Sequence, residues 1–194
     1  MKAVLATVLI AFGILFIVSC GRKTKEDKEP FFPVLSYIKS QVADIDTSLY
    51  SIRKLIVIDS LKTDTIYLHR ENFRDEAKDF LAIPDISSPS YRKRYVEEKL
   101  FDETLNRVLL TYTPLNPDKE EIQRQEVLIK PDPSGDKVTT IIVNSVVNTR
   151  DSSVQKNLLW KVGESFQTTI TKQLAGQPEK TSVVKVIWNE DDQQ

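Results

Sequence analysis

The hydrophobic pattern divides the chain into four stretches. After Lys2 the residues Ala3 to Val18 run without a charge, and Ser19, Cys20 and Gly21 close that run. The next stretch, to Pro30, alternates charges and carries no apolar side chain, so it has nothing to bury and reads as a solvated tether. From Val34 the spacing changes: Val34, Leu35, Ile38, Val42, Ile45 and Leu49 recur at three- and four-residue steps and predict an amphipathic helix. Ser51 to Ile58 and Thr65 to His69 are short, β-branched or aromatic, and separated by a polar loop, which predicts a strand pair. A second helix is expected from about Glu71 to Leu81, with Phe73, Ala77, Phe80 and Leu81 on one face and Pro84 ending it.

Residues 84–94 read as loop, and Tyr91 to Phe101 as a short helix or irregular stretch. From Leu105 onward the pattern predicts strands at 105–113, 122–130, 137–148, 154–162, 165–174 and 181–188. Gly135, Gly163 and Gly176 each fall in a predicted turn, where a residue tolerant of positive φ is wanted. Gly163 fits either a two-residue hairpin turn or a bulge in one long strand. The sum is an α+β domain: a curved antiparallel sheet of about five to seven strands with two or three helices packed on one face.

Composition removes several classes of function. The 27 basic and 28 acidic side chains give a net charge of −1, without the basic surface that nucleic-acid binding needs. A single Cys rules out a disulfide framework, and with a single His it rules out a zinc site built from those ligands. No metal or cofactor is expected.

The N-terminal run, a positive start followed by an apolar core and a small residue, has the form of a secretory signal. It is short for a spanning helix, which needs roughly 20 residues. Ile17-Val18-Ser19-Cys20 resembles the lipobox of bacterial lipoprotein precursors. That resemblance implies a thioether diacylglycerol on Cys20, cleavage between Ser19 and Cys20, and attachment to the membrane through the lipid. It covers about 20 residues and implies nothing about the rest. The domain boundaries then read as a signal peptide at 1–19, lipidated Cys and tether at 20–30, one domain at 31–189 and a polar tail at 190–194. Gly21, not Asp, follows Cys20. In Gram-negative lipoproteins an Asp there commonly holds the product in the inner membrane, so the resemblance points to the cell envelope and to the outer membrane over the inner. Lys25-Glu26-Asp27 is similar to the export signal of some surface-exposed lipoproteins, though further from the Cys, and an ordinary tether accounts for it.

Catalytic motifs are sparse. His69 is the only imidazole, and no Gly-x-Ser-x-Gly elbow presents a serine to it. Ser36-Tyr-Ile-Lys39 and Ser51-Ile-Arg-Lys54 match Ser-x-x-Lys, but the companion Ser-Asp-Asn is missing. The oxygen-rich stretches at Asp44 to Ser48 and Asp132 to Asp136 lack the Gly and Glu of a calcium loop, and turn formation explains them. Tyr91, Arg92, Lys93, Arg94 and Tyr95 form the densest basic cluster, flanked by rings that suit an anionic headgroup, a sugar or an acidic partner. Trp160 and Trp188 fall on late strands, where large rings fill cores.

The expected function is a membrane-anchored envelope lipoprotein acting as a non-catalytic binding or accessory module. Its partner would be an envelope protein, a glycan or an apolar ligand. The alternative is a small hydrolase or lyase pairing His69 with a carboxylate in a pocket, which requires that His69 be enclosed.

Overall fold

A computed structural model describes residues 29–57 and 62–189. The residues read as a signal and lipobox, Cys20 among them, lie outside the described residues, as do Ile58 to Leu61 and the residues from Glu190. The chain divides into two units, Met1–Pro30 and Phe31–Gln194.

In the second unit helix α1 spans Val34–Thr47, followed by β1 (Ile52–Val57) and β2 (Thr63–Leu68). A 3₁₀ turn at Arg70–Asn72 leads into three single-turn helices, α2 (Phe73–Glu76), α3 (Lys78–Leu81) and α4 (Pro89–Arg92). Among the described residues seven strands follow: β3 (Tyr95–Asp102), β4 (Arg107–Pro114), β5 (Ile122–Lys130), β6 (Lys137–Asn148), β7 (Ser152–Lys161), β8 (Ser165–Leu174) and β9 (Lys180–Ile187).

The nine strands of the described residues form one sheet in the order β2-β1-β9-β8-β7-β6-β5-β4-β3, antiparallel throughout and open at β2 and β3. The expected α+β domain with five to seven strands and helices on one face is therefore corrected: the protein is sheet-dominated. Two facts enlarge the sheet. The early hairpin is no separate pair, because β1 docks on β9 with Arg53 opposite Ile187. Tyr95 to Asp102, read as helical or irregular, is an edge strand. Its Glu, Lys and Leu are good helix formers, and six consecutive residues, Val96 to Phe101, are exposed, so no period-two burial marks it.

The second predicted helix is also corrected. It breaks at Ala77, whose backbone leaves the helical region at φ −82° and ψ 3°, leaving α2 and α3 as separate turns. Helix α1 matches its predicted span closely, though Leu49 falls beyond its end and is 95% exposed.

One side of the sheet forms the core wall. Across five strands Tyr112, Gln125, Val143, Leu158 and Thr168 stand opposite one another in register. Val34, Ile38, Val42 and Ile45 of α1, with Phe73, Ala77, Phe80, Ile83 and Ile86, join the same buried cluster. Phe73 and Phe80 meet the rings of Trp160 and Phe166 at centroid distances of 5.1 to 6.5 Å. Such offset and edge contacts between rings add to the stabilisation from burial alone. Two ion pairs flank this contact, Lys54 Nζ to Glu76 Oε1 and Lys156 Nζ to Asp79 Oδ1, both at 2.7 Å.

Gly163 and Gly176 lie in hairpin turns at φ 73° and 70°. At Gly163 the chain forms neither one long strand nor a two-residue turn: Lys161 pairs with Ser165, and Val162-Gly163-Glu164 is a three-residue loop. A three-residue hairpin loop with a left-handed glycine is a common way to reverse twisted strands.

Candidate functional site

The basic cluster of the sequence is largely spent on the fold. Arg94 donates from Nη1 to Glu120 Oε1 at 2.9 Å, and its guanidinium lies 4.0 Å from the Tyr91 ring centroid. Tyr95 is buried and its hydroxyl donates to the Ile122 carbonyl at 3.2 Å. Burial first, and the neighbouring Glu120 charge second, hold the Tyr95 hydroxyl well above the usual phenol range. The Arg92 guanidinium stands over the Phe31 ring at 5.5 Å. Lys93 is exposed. Adjacency in sequence suggested one patch, whereas the turn from α4 into β3 sends Tyr95 inward and leaves Lys93 outside.

His69 lies at the end of β2 on an open depression of about 540 Å³, together with Asp46, Arg70, Glu71 and Arg74. Asp46 is engaged by Arg74 at 3.1 Å. His69 itself is exposed. Water has free access to this imidazole, so the enclosure that a pocket acid–base pair requires is not formed there.

A larger cleft of about 840 Å³ opens between the start of α1 and the neighbouring ends of β4, β6 and β7. The rings of Phe32 and Tyr37, 5.4 Å apart and tilted by 58°, stand with Val138 and Val162 as its apolar lining. Its charged lining is Arg107, Lys137 and Lys161 against Asp136 and Glu164. Lys161 pairs with Glu164 at 3.1 Å and Lys137 with Asp132 at 2.8 Å. Arg107 forms no ion pair among the described residues. Phe32 is held from the core: Tyr112 is fully buried, its ring lies 4.8 Å from that of Phe31 at a tilt of 48°, and it accepts a hydrogen bond from the Phe32 N–H at 3.0 Å. That bond fixes where Phe32 begins and hence where α1 starts.

Nothing in the sequence marked this cleft. Its lining comes from positions up to 132 residues apart, Phe32 to Glu164, and no local spacing connects them. With Lys137 and Lys161 paired, it offers an apolar wall beside one guanidinium, Arg107, and one carboxylate, Asp136, and the guanidinium suits the negative end of a molecule with a ring or chain.

Among the described residues no group of three His, Cys, Asp or Glu side chains is placed to hold a metal, and no helix is long and apolar enough to cross a membrane. No protein-family model, curated protein or solved structure matches the chain.

Proposed function

We propose that this protein is a lipid-tethered, non-catalytic binding module of the cell envelope whose ligand enters the cleft beside α1. The observation that carries the reading is the pairing, in one open cleft, of the Phe32 and Tyr37 rings with an Arg107 guanidinium that has no ion pair among the described residues. An apolar or ring group of the ligand lies against Phe32, Tyr37, Val138 and Val162, and its negative end meets Arg107. The tether rests on Ile17-Val18-Ser19-Cys20 and the charged residues after it. A diacylglycerol on Cys20 supplies two chains, enough for stable anchoring where one chain gives marginal attachment. The absence of Asp after Cys20 favours the outer membrane as the place of anchoring.

Two measurements test this. Isothermal titration of the full-length chain with naphthalene-2-sulfonate should show saturable binding of one probe per chain, weakened about fivefold or more in Arg107→Gln. The uncharged analogue 2-naphthalenemethanol should bind wild type and variant alike. Equal affinity of wild type and Arg107→Gln for the sulfonate would remove the cleft from the proposal. Mass spectrometry of the N-terminal peptide from bacterial membranes should find nothing before Cys20 and an added diacylglycerol, and Cys20→Ser should abolish both. An unmodified Cys20 preceded by an intact Met1–Ser19 would end the tether reading.

A further inference from the structure

The free edge of the sheet at β3 carries a sequence that complements itself. Among the described residues strand β3 pairs only with β4, so its other side offers backbone groups that no described strand takes up. The direction of each group follows from the ladder. The Leu115 N–H donates to the Arg94 carbonyl at 2.8 Å, so Arg94 points its backbone at β4. Alternation then turns the N–H and C=O of Tyr95, Glu97, Lys99 and Phe101 to the free edge. Pro114, which has no N–H, sits opposite Tyr95, as this phase requires.

Three apolar side chains stand exposed along this edge: Val96 at 42%, Leu100 at 60% and Phe101 at 50%. Exposed apolar residues on a strand with unpaired backbone form a template for pairing with another strand. The order of types is aromatic, aliphatic, acid, acid, base, aliphatic, aromatic, from Tyr95 to Phe101. Reversed, the string reads the same, except that acid and base exchange places around Glu98.

We infer that β3 is a homodimer edge, pairing antiparallel with β3 of a second copy about a two-fold axis at Glu98. In that register Glu97 of each copy faces Lys99 of the other, Val96 faces Leu100, and Tyr95 faces Phe101. The Glu97–Lys99 and Tyr95–Phe101 positions are those whose backbone groups point outward, so their N–H and C=O groups pair across the new junction. The neighbouring registers lack this match. Shifted one way, Lys99 meets its own copy; shifted the other, Glu97 does. Each places like charges opposite one another in a strand pair, which is destabilising. Only Glu98 meets its own copy in the complementary register, on the outer face. A closed, isologous contact of this kind ends at two subunits.

Sedimentation equilibrium of the full-length chain in density-matched detergent reads the outcome. Wild type is expected to reach twice the protomer mass as concentration rises. Lys99→Glu places two acids opposite in both halves of the junction and should weaken the dimer about tenfold or more. The double variant Glu97→Lys/Lys99→Glu restores opposite charges and should recover wild-type affinity within about threefold, a rescue that loss of folding would not give. Glu98→Gln removes the one repulsive pair and should tighten the dimer. A wild type that remains monomeric, assemblies that grow beyond two copies by joining β3 to β2, or a double variant as weak as Lys99→Glu alone would overturn the inference.

Discussion

Two tyrosines show how single residues tie distant parts of this chain together. Tyr112 accepts the Phe32 N–H across 80 positions of sequence, and burial holds its hydroxyl well above the usual phenol range. The Phe32 bond opposes that rise, and the nearby Glu97 carboxylate adds to it. Tyr95 is raised in the same direction, again by burial first. A phenol whose folded value lies above its unfolded one holds its proton more tightly when folded. Its contribution is therefore complete below the unfolded value of 10.0 and is lost as pH rises above it. Denaturant titrations from pH 8 upward should give constant stability to about pH 10 and a steady decline beyond. Tyr112→Phe should make that decline shallower, while costing about 0.5–1.5 kcal/mol at neutral pH for the lost bond to Phe32. An unchanged slope in Tyr112→Phe would show that its hydroxyl titrates as freely as an exposed one.

Among the elements, the hairpins between β7 and β9 were the most legible, because glycine punctuates them. Gly176 has φ 70°, and no atom lies within 4 Å of the place where a side chain would start. Steric room is thus available, and only the backbone objects. Gly176→Val should destabilise by about 1–2 kcal/mol in thermal or chemical unfolding, and Gly176→Asn by less, since Asn tolerates the left-handed region. A neutral Gly176→Val would mean that the turn relaxes to negative φ. The β3–β4 turn carried no such mark. It uses Asn106 at φ 47° and an Asp102 carboxylate accepting from the Thr104 and Leu105 N–H groups. A turn without glycine, after a strand of helix formers, left both β3 and the start of β4 misread. The break at Ala77 was likewise silent, since Phe73, Ala77 and Phe80 keep a helical spacing across it.

At the scale of the whole molecule, burial begins at Phe31, which is 8% exposed and packs on Tyr112. A chain starting at Phe31 should fold cooperatively without residues 1–30, because the charged residues just before it bring no apolar surface to the core. Starting instead at Val34 removes both Phe31 and the Phe32 N–H, and should cost about 2–4 kcal/mol. Comparable denaturation midpoints for the two would show that α1 is positioned by its own apolar face alone. Aggregation of the longer chain would show that residues before Phe31 cover part of the fold.

The amino-acid sequence by itself determined the elements whose signal is local. The three- and four-residue spacing of Val34 to Ile45 specified α1, the β-branched runs after Leu105 specified most of the later strands, and the glycines specified their turns. It also holds the whole basis for the proposed lipid tether, in Ile17 to Cys20. Tertiary structure decided how many strands share the sheet, because the union of β1 with β9 joins residues more than 120 positions apart and depends on which edges remain free. It decided that Tyr95 to Asp102 is extended, since pairing with β4 outweighs helix propensity at an exposed edge. The cleft and the self-complementary edge follow from the same cause. Each is defined by which backbone edges and side chains the finished sheet leaves unpaired, and that is a property of the assembled fold, invisible to any local window of sequence.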